Sequence, residues 1–461
     1  MDLTKYKNVF VCDIGGIGVS AVARFLRSKG IAVTGSEPVK SELTEKLESE
    51  GVKIYYEQKA ENVTFMYDLF VYSAAATADH PERVKAKELG IPQKSYFEFV
   101  GEMSRDYQTI AVSGTNGKST TTAMIAGILI DAQKDPTVIV GSKFEKLNDN
   151  FRLGNSDLFL VEACEYRAHM LLIKPEKIVL TNIEEEHLDF FKDLNHIIQT
   201  FQQYVNNLRN EDNLLVYNND DVNIRKLILP KCRRVSYGLI HGANVWADNI
   251  RKLPGKQLFE VVYYGQNLGE FELPVPGDFN IYNALAAIAF CLSLDIPLVV
   301  IKKSLAEYRG IWRRFEIVKN DKITVISDYA HHPTAVRSTL KAAREFFPGR
   351  RIVAVFQPHQ HSRTKKLFND FLKSFESADV VVISEIFDVA GREVEDTEIS
   401  SKDLVDTIHA TEPNKPVFFA IDLNETVEKV NALVRDEDVV LVMGAGDIYK
   451  INAKIKVQNA K

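Results

Sequence analysis

Residues 108–130 read QTIAVSGTNGKSTTTAMIAGILI. An apolar run stops at Gly114, a loop of small residues carries Gly117, Lys118 and Ser119, and a helical stretch rich in small side chains follows. This is a strand, a glycine loop and a helix start. Glycines let the backbone approach phosphate oxygens, Lys118 offers a point charge to terminal phosphates, and Ser119 offers a hydroxyl to Mg²⁺. The loop is shorter than G-x-x-x-x-G-K-[ST], because Val112 stands where the first glycine belongs. A merely Ser/Thr-capped helix start would not need a lysine directly after the second glycine. ATP is the expected ligand, with Gly114, Thr115, Asn116, Gly117, Lys118, Ser119 and Thr120 around it. As a ligand cradle, the loop is expected to tolerate Lys118→Ala without loss of the fold. Such loops serve kinases, ATPases and ligases alike, so the loop does not name a reaction.

Upstream, KNVFVCDI (7–14), a helical stretch from Val19 to Ser28, and IAVTGSE (31–37) begin a strand–helix alternation. SELTEKLESEG, VKIYY, DLFVYSA and ERVKAKELG continue it. A helical FEFVGEMSRD (97–106) then leads into the opening stretch. Downstream, LFLVEA (158–163) and KIVLTNI (177–183) read as strands, 256–277 as hairpin material, and 278–294 as a closely packed helix. After Arg313 the alternation resumes at 323–330, 351–358, 379–387, 416–422 and 439–446. Alternation of this kind implies parallel sheets with helices on their faces. No fixed-period repeat or low-complexity tract interrupts it.

At 461 residues the chain fits two to four domains. A net charge of −6, with 45% apolar and 26% charged residues, gives no general drive toward nucleic acid or membrane. The four cysteines, Cys12, Cys164, Cys232 and Cys291, are scattered, which fits a reducing compartment better than a disulfide or zinc framework. No apolar run is long enough to cross a bilayer, and no signal-peptide pattern precedes the first strand. A cytoplasmic location is expected, without membrane insertion.

A second glycine loop, Asp13-Ile-Gly-Gly-Ile-Gly18, follows the first strand. Strand, glycine turn and helix N-terminus again suit a phosphate, and Glu37 ends the next strand where an acid could meet a ribose hydroxyl. Alone this suggests NAD. Yet Asp13 replaces the first glycine, and its carboxylate would repel a pyrophosphate unless turned away. A tight strand–helix turn without ligand explains the same residues.

Four more segments carry a resemblance: VEACEYRAHML (161–171), TNIEEEHLDFF (181–191), SDYAHHPTAV (327–336) and AVFQPHQHSRT (354–364). With the two glycine loops they resemble the Mur ligases of peptidoglycan synthesis, nearly end to end. QPHQHSRT favours the alanine-adding members over the murein-peptide-recycling ones. The resemblance implies three α/β domains: a Rossmann-like domain for the UDP-sugar (1–106), a central P-loop ATPase-type domain (107–312), and a Rossmann-like domain receiving the amino acid (313–461). It implies ATP and Mg²⁺ as cofactors, UDP-N-acetylmuramate and L-alanine as substrates, and a monomer or homodimer. The lactyl carboxylate is phosphorylated by ATP, and the amine then attacks the acyl phosphate. Positioning and charge neutralisation supply most of such catalysis.

Carried over by residue, Gly15, Gly16, Ile17 and Gly18 would hold the UDP diphosphate, with Ser36, Glu37 and Ser73 beside it. Lys118 and Ser119 would meet ATP and Mg²⁺, and Glu162 and His187 match the family's metal-binding pair. For His187 the residues alone suggest a backbone-bonded strand end, since Mg²⁺ prefers oxygen. Asn280 and Asn283 match the adenine-side asparagines, although Asn280 could simply cap its helix. Arg314 would reach the γ-phosphate, and Asp328 and Tyr329 the ribose and the incoming site. His332, His359 and Arg363 would line the amino-acid and acyl-phosphate region, with Arg392 toward the alanine carboxylate. A structural salt-bridge network could use the same residue types, but their position at strand ends favours a ligand site. Departures from the family pattern are Asp13, Asn116, Cys164, Phe279 and His361. Three alternatives remain open at this point: another amino-acid or peptide acceptor, an NAD-dependent oxidoreductase, and a nucleotide-binding regulator without catalysis.

Overall fold

The computed structural model describes residues 1–188, 190–387 and 399–457. They fall into two compact units. One holds Met1–Asp248, Val261–Gly269 and Tyr282–Leu305, and the other holds Asn249–Glu260, Glu270–Ile281 and Ala306–Lys461.

In the first unit, β1 (Asn8–Cys12), β2 (Ala32–Ser36), β3 (Lys53–Tyr55), β4 (Leu69–Tyr72) and β5 (Gln93–Ser95) stand in the order β3-β2-β1-β4-β5. All four pairings are parallel. The chain builds outward from β1 on one side, then jumps to β4 on the other, which opens a crevice beyond the ends of β1 and β4. Residues 13–18 follow β1 directly, and Ser73 follows β4.

A second sheet begins with β6 (Gln108–Ser113), β7 (Thr137–Phe144), β8 (Asp149–Arg152) and β9 (Leu158–Glu162). It continues with β10 (Lys177–Leu180), β11 (Leu214–Asn218), β12 (Arg233–Gly238) and β13 (Val245–Leu253). These run in the order β13-β12-β11-β10-β6-β9-β7-β8. β6 lies between β9 and β10 and is parallel to both, with Val112 opposite Glu162 and Ser113 opposite Leu180. The glycine loop therefore leaves the sheet between two strand ends. Ile110, Ala111 and Val112 are fully buried, as a parallel strand covered on both faces requires. β14 (Lys256–Tyr263) and β15 (Gln266–Leu273) are neighbours joined by Tyr264 and Gly265, both at positive φ, the backbone of a tight hairpin turn. The hairpin reading of 256–277 holds, and so does the helix after it, Asp278–Leu292.

The first two sheets share one hydrophobic core. Val22, Phe25, Phe99 and Met103 pack in the same cluster as Phe151, Phe159 and Met170. A buried ion pair reinforces it. Arg24, from the helix Ile17–Ser28, meets Asp149 on β8 at 3.0 Å, and Lys46 meets the same carboxylate at 3.1 Å. Burial pushes the Asp149 carboxyl up, but the charges and hydrogen bonds of Arg24 and Lys46 outweigh it and hold the group below its ordinary range. Asp149→Ala leaves the buried guanidinium with Glu50, at 3.1 Å, as its remaining carboxylate, and with Asn150 Oδ1 at 3.5 Å. A loss of about 3 kcal/mol in a urea titration is expected, the lower end of what breaking a buried pair costs.

The other unit carries β16 (Glu316–Asn320), β17 (Thr324–Asp328), β18 (Ile352–Phe356), β19 (Val380–Ser384), β20 (Val417–Ala420) and β21 (Val439–Met443). Their order is β16-β17-β21-β18-β19-β20, with β16 antiparallel and the rest parallel. Tyr329–His332 follow β17 and Gln357–Arg363 follow β18, at the same end of this sheet. The α/β class expected from the alternation is the class observed, as three largely parallel sheets. No described helix is long and apolar enough to cross a membrane.

Candidate functional site

The loop after β6 is laced to the segment after β10. Thr115 N–H donates to Asn182 O at 2.9 Å, and Asn116 N–H donates to Asn182 Oδ1 at 2.8 Å. In return Asn116 O accepts from Thr181 Oγ1 at 2.6 Å and from Asn182 Nδ2 at 3.0 Å, while Asn116 Nδ2 donates to Glu184 at 3.1 Å. Asn116, a departure on sequence grounds, is thus a clamp between two strand-end loops. The sequence reading did not see the Thr181–Glu184 brace, because a four-residue segment after a strand carries no signal for its partner 66 residues away.

Gly117 adopts left-handed geometry, φ 81°, and caps the helix Lys118–Asp131. The Asn283 amide lies against it, so Asn283 reaches the loop itself; its Oδ1 also accepts from Thr121 Oγ1 at 3.2 Å. Lys118 Nζ folds over its own loop, donating to Gly114 O at 2.6 Å and Thr115 O at 2.9 Å. Its third close partner is Glu165 Oε2, at 2.8 Å. Glu165 is almost completely buried, and its Oε1 lies 3.4 Å from His187 Nε2. Burial disfavours both charges, yet each sustains the other: Glu165 raises Lys118 above its ordinary value, and Lys118 then His187 bring Glu165 below its own. Glu165 is a residue that the motif reading missed. It lies three positions beyond Glu162, and the sequence does not say which acid turns inward.

Glu162 ends β9, where its Oε2 accepts from Gly141 N–H at 2.8 Å. Ser119 and Thr120 open the helix and are largely buried. His187 is not a strand end: it sits in a loop at φ 56°, its carbonyl accepting from Phe190 and Phe191, its ring 4.8 Å from that of Tyr166. Between Glu162 and Glu165 in the chain, burial pushes the Cys164 thiol up to about 12.

At the first glycine loop, Asp13 is turned away from the amides. Its φ of 57° directs the carboxylate to Gln58 Nε2, at 2.6 Å, and to the Ser73 hydroxyl. Gly15 N–H donates to Glu37 Oε2 at 3.0 Å, so Glu37 meets the loop backbone directly. Burial raises the Glu37 carboxyl. Tyr96 packs over Gly18, where a Cβ would lie 2.8 Å from the ring, and Ile17 O is held by Asn150. Ser36 differs from the reading that set it beside a ligand: it is fully buried and donates to Glu82 at 2.5 Å. A cavity of about 480 Å³ opens at the ends of β4 and β5, lined by Tyr72, Ser73, Arg83, Phe97, Arg167 and His169 among others. The His169 ring stacks on Phe97 at 3.6 Å. Its pKa falls to about 4 through burial and then the Arg167 charge.

In the other unit, Asp328 spends both carboxylate oxygens on backbone, accepting from Phe315 N–H at 2.7 Å and Ala330 N–H at 2.8 Å. It shapes the turn that presents Arg314 and Tyr329. Of the paired arginines, Arg313 is buried and donates to Gly444 O and Gly446 O, whereas Arg314 is exposed over the Tyr329 ring at 5.0 Å. Arg363 Nη1 lies 3.3 Å from His359 Nδ1. His331, not His332, is the hub. It is bonded to Tyr329 O at 2.9 Å and stands edge-on to Tyr329 and His359, while His332 caps the helix Pro333–Phe346. His361 turns to Ile399 O at 2.8 Å. Asn280 donates to Pro276 O at 2.7 Å, its own turn, and Phe279 packs over Gly277. Arg392 lies outside the described residues.

Burial, then the Arg363 charge, depresses His331 to about 3. An unfolded histidine takes its proton near about 6.5, so between the two values the unfolded chain holds the extra proton. Stability should fall by about 1.4 kcal/mol per pH unit from this group as pH drops through that window. Urea titrations of wild type and His331→Gln check it, the variant giving the shallower dependence.

The sequence matches three family models: Mur ligase family, catalytic domain, over residues 9–108; Mur ligase middle domain, over 112–291; and Mur ligase, glutamate ligase domain, over 313–446. The chain belongs to the Mur ligase family. A UDP-N-acetylmuramate–L-alanine ligase of Caldanaerobacter subterraneus is 40% identical over the full length of both chains. One from Persephonella marina is 37% identical over 98% of this chain and 96% of its own. The crystal structure of a UDP-N-acetylmuramate–alanine ligase from Thermotoga maritima, 31% identical, superposes with a TM-score of 0.84 over 97% of this chain and 98% of that one. Membership sets aside the oxidoreductase reading of the first loop.

Proposed function

We propose that this Mur ligase joins L-alanine to the lactyl carboxylate of UDP-N-acetylmuramate, consuming ATP and releasing ADP and phosphate. The observation that carries the reading is the loop itself. Lys118 and Ser119 open a helix between the strand ends at Glu162 and Leu180, in a chain that parallels relatives of that activity from end to end. A carboxylate is a poor electrophile, and phosphorylation gives it a leaving group that an amine can displace. What the protein contributes is placement and charge.

On this reading Lys118 turns to the terminal phosphates, and the loop from Gly114 to Thr120 holds the nucleotide, with Asn283 bracing it. Ser119 and Glu162 supply a hydroxyl and a carboxylate, a donor set that fits Mg²⁺, and His187 stands beside them. Mg²⁺ bound there would neutralise charge on the phosphates. The crevice after β1 and β4, with Gly15–Gly18, Glu37 and the cavity at Ser73, takes the UDP-sugar; the diphosphate must displace or share Glu37 at Gly15. Residues 1–106, 107–312 and 313–461 serve sugar, nucleotide and amino acid in turn. Arg314, Tyr329, His359 and Arg363 are the side chains that the last of these presents, with His332 near them.

Phosphate release from purified protein with ATP, Mg²⁺ and UDP-N-acetylmuramate, amino acids added singly, tests this. Release should require both sugar and alanine. Release with another amino acid in preference to alanine would reassign the acceptor, and turnover without ATP would end the reading.

A further inference from the structure

We propose that Glu165 is a counter-ion for the loop lysine that makes nucleotide binding conditional on a divalent cation. The inference rests on the nucleotide reading of the loop. An ammonium has three protons, and the three close partners of Lys118 are Gly114 O, Thr115 O and Glu165. Two of these are backbone carbonyls fixed by the loop. The exchangeable partner is the carboxylate. For Lys118 to meet a phosphate, the Glu165 pair must loosen.

Glu165 cannot then relax into water, because its side chain is 3% exposed. Its Oε2 is buried without a hydrogen bond of good geometry, and its Oε1 lies 3.4 Å from His187 Nε2. A nucleotide arriving without metal would leave a buried carboxylate unpaired beside a polyanion, an arrangement of high cost. Ser119 and Glu162 would hold a divalent cation that accompanies the phosphates, and its charge would replace the one Glu165 loses. Glu165 acts through Lys118 and need not touch the nucleotide, so it is a positioning residue. Metal-free nucleotide meets a lysine already neutralised, whereas the metal complex brings its own replacement.

The test is the affinity for ATP in EDTA and in Mg²⁺, by calorimetry, for wild type, Glu165→Gln and Glu165→Asp. Wild type should bind the Mg²⁺ complex more tightly by a factor on the order of 5 to 150, the usual range of a coupling between two ligands. Glu165→Gln should tighten metal-free binding and shrink that ratio to about threefold or less, while Glu165→Asp, which keeps the charge, should preserve a larger ratio. A ratio in Glu165→Gln equal to wild type overturns the proposal. So does equal affinity of the wild-type chain for metal-free and Mg²⁺ nucleotide, a measurement that needs no variant. If the wild-type chain binds no nucleotide in either condition, the loop reading itself has failed.

Discussion

Lys118→Ala is expected to reduce turnover by at least about a hundredfold, the scale of losing one preorganised charge at a developing anion. It is also expected to cost stability, which the sequence does not suggest. A glycine loop read as a ligand cradle should lose its lysine without harm to the fold. The structure shows why it should not: Lys118 is the close cation of Glu165, whose side chain is 3% exposed. Truncating the lysine leaves that carboxylate buried with the His187 ring, 3.4 Å away, and its own backbone amide, neither of which replaces the lysine's charge. Breaking a buried pair from one side costs about 3–5 kcal/mol. The remedy follows from the same argument. Adding Glu165→Gln to Lys118→Ala removes the stranded charge, so the double variant should regain most of the lost stability in a urea titration and none of the phosphate release. If the single variant is as stable as wild type, the pair contributes nothing to the fold and the burial argument is wrong. If the double variant regains turnover, Lys118 is not the residue that meets the phosphates.

The alternation of apolar runs and helical stretches was enough for three α/β sheets, because parallel strands covered on both faces are written locally. The continuous core between the first two sheets was not, since Phe25 and Phe159 announce no partnership in a linear reading. The same limit divides the site. The placement of Lys118 and Ser119 at a helix start and of Glu162 at a strand end was legible because loop chemistry and strand ends are local. Which member of a pair faces outward was legible only where a family pattern chose it. Arg313 and Arg314 are adjacent and chemically alike, yet one is buried against Gly444 and Gly446 and the other exposed. His331 and His332 divide in the same way between a ring cluster and a helix cap. Asp328 is the reverse case. The resemblance sets it toward the ribose, and its two oxygens brace Phe315 and Ala330.

Gly114→Ala is expected to weaken nucleotide binding by at least about a hundredfold and to lower stability by about 1–3 kcal/mol. Two independent facts converge on it. Gly114 has φ 136°, a conformation L side chains rarely adopt. A Cβ there would also overlap Thr181 Oγ1 and lie 2.9 Å from Asn182 O and 3.0 Å from Asn182 N. Those atoms belong to the brace that holds Thr115 and Asn116, so the methyl group cannot be accommodated by moving one flexible side chain. Either the loop shifts or the bonds from Thr181 and Asn182 break, and in both cases the backbone amides lose their positions. Thr181→Ser separates the two contributions. It keeps the hydroxyl that donates to Asn116 O and removes a methyl group, so by itself it should bind nucleotide nearly as wild type does. Combined with Gly114→Ala it should recover little, because the clash with the Asn182 backbone and the unfavourable φ both remain. Substantial recovery in that pair would mean the side chain of Thr181, and not the backbone of the brace, sets the limit on residue 114.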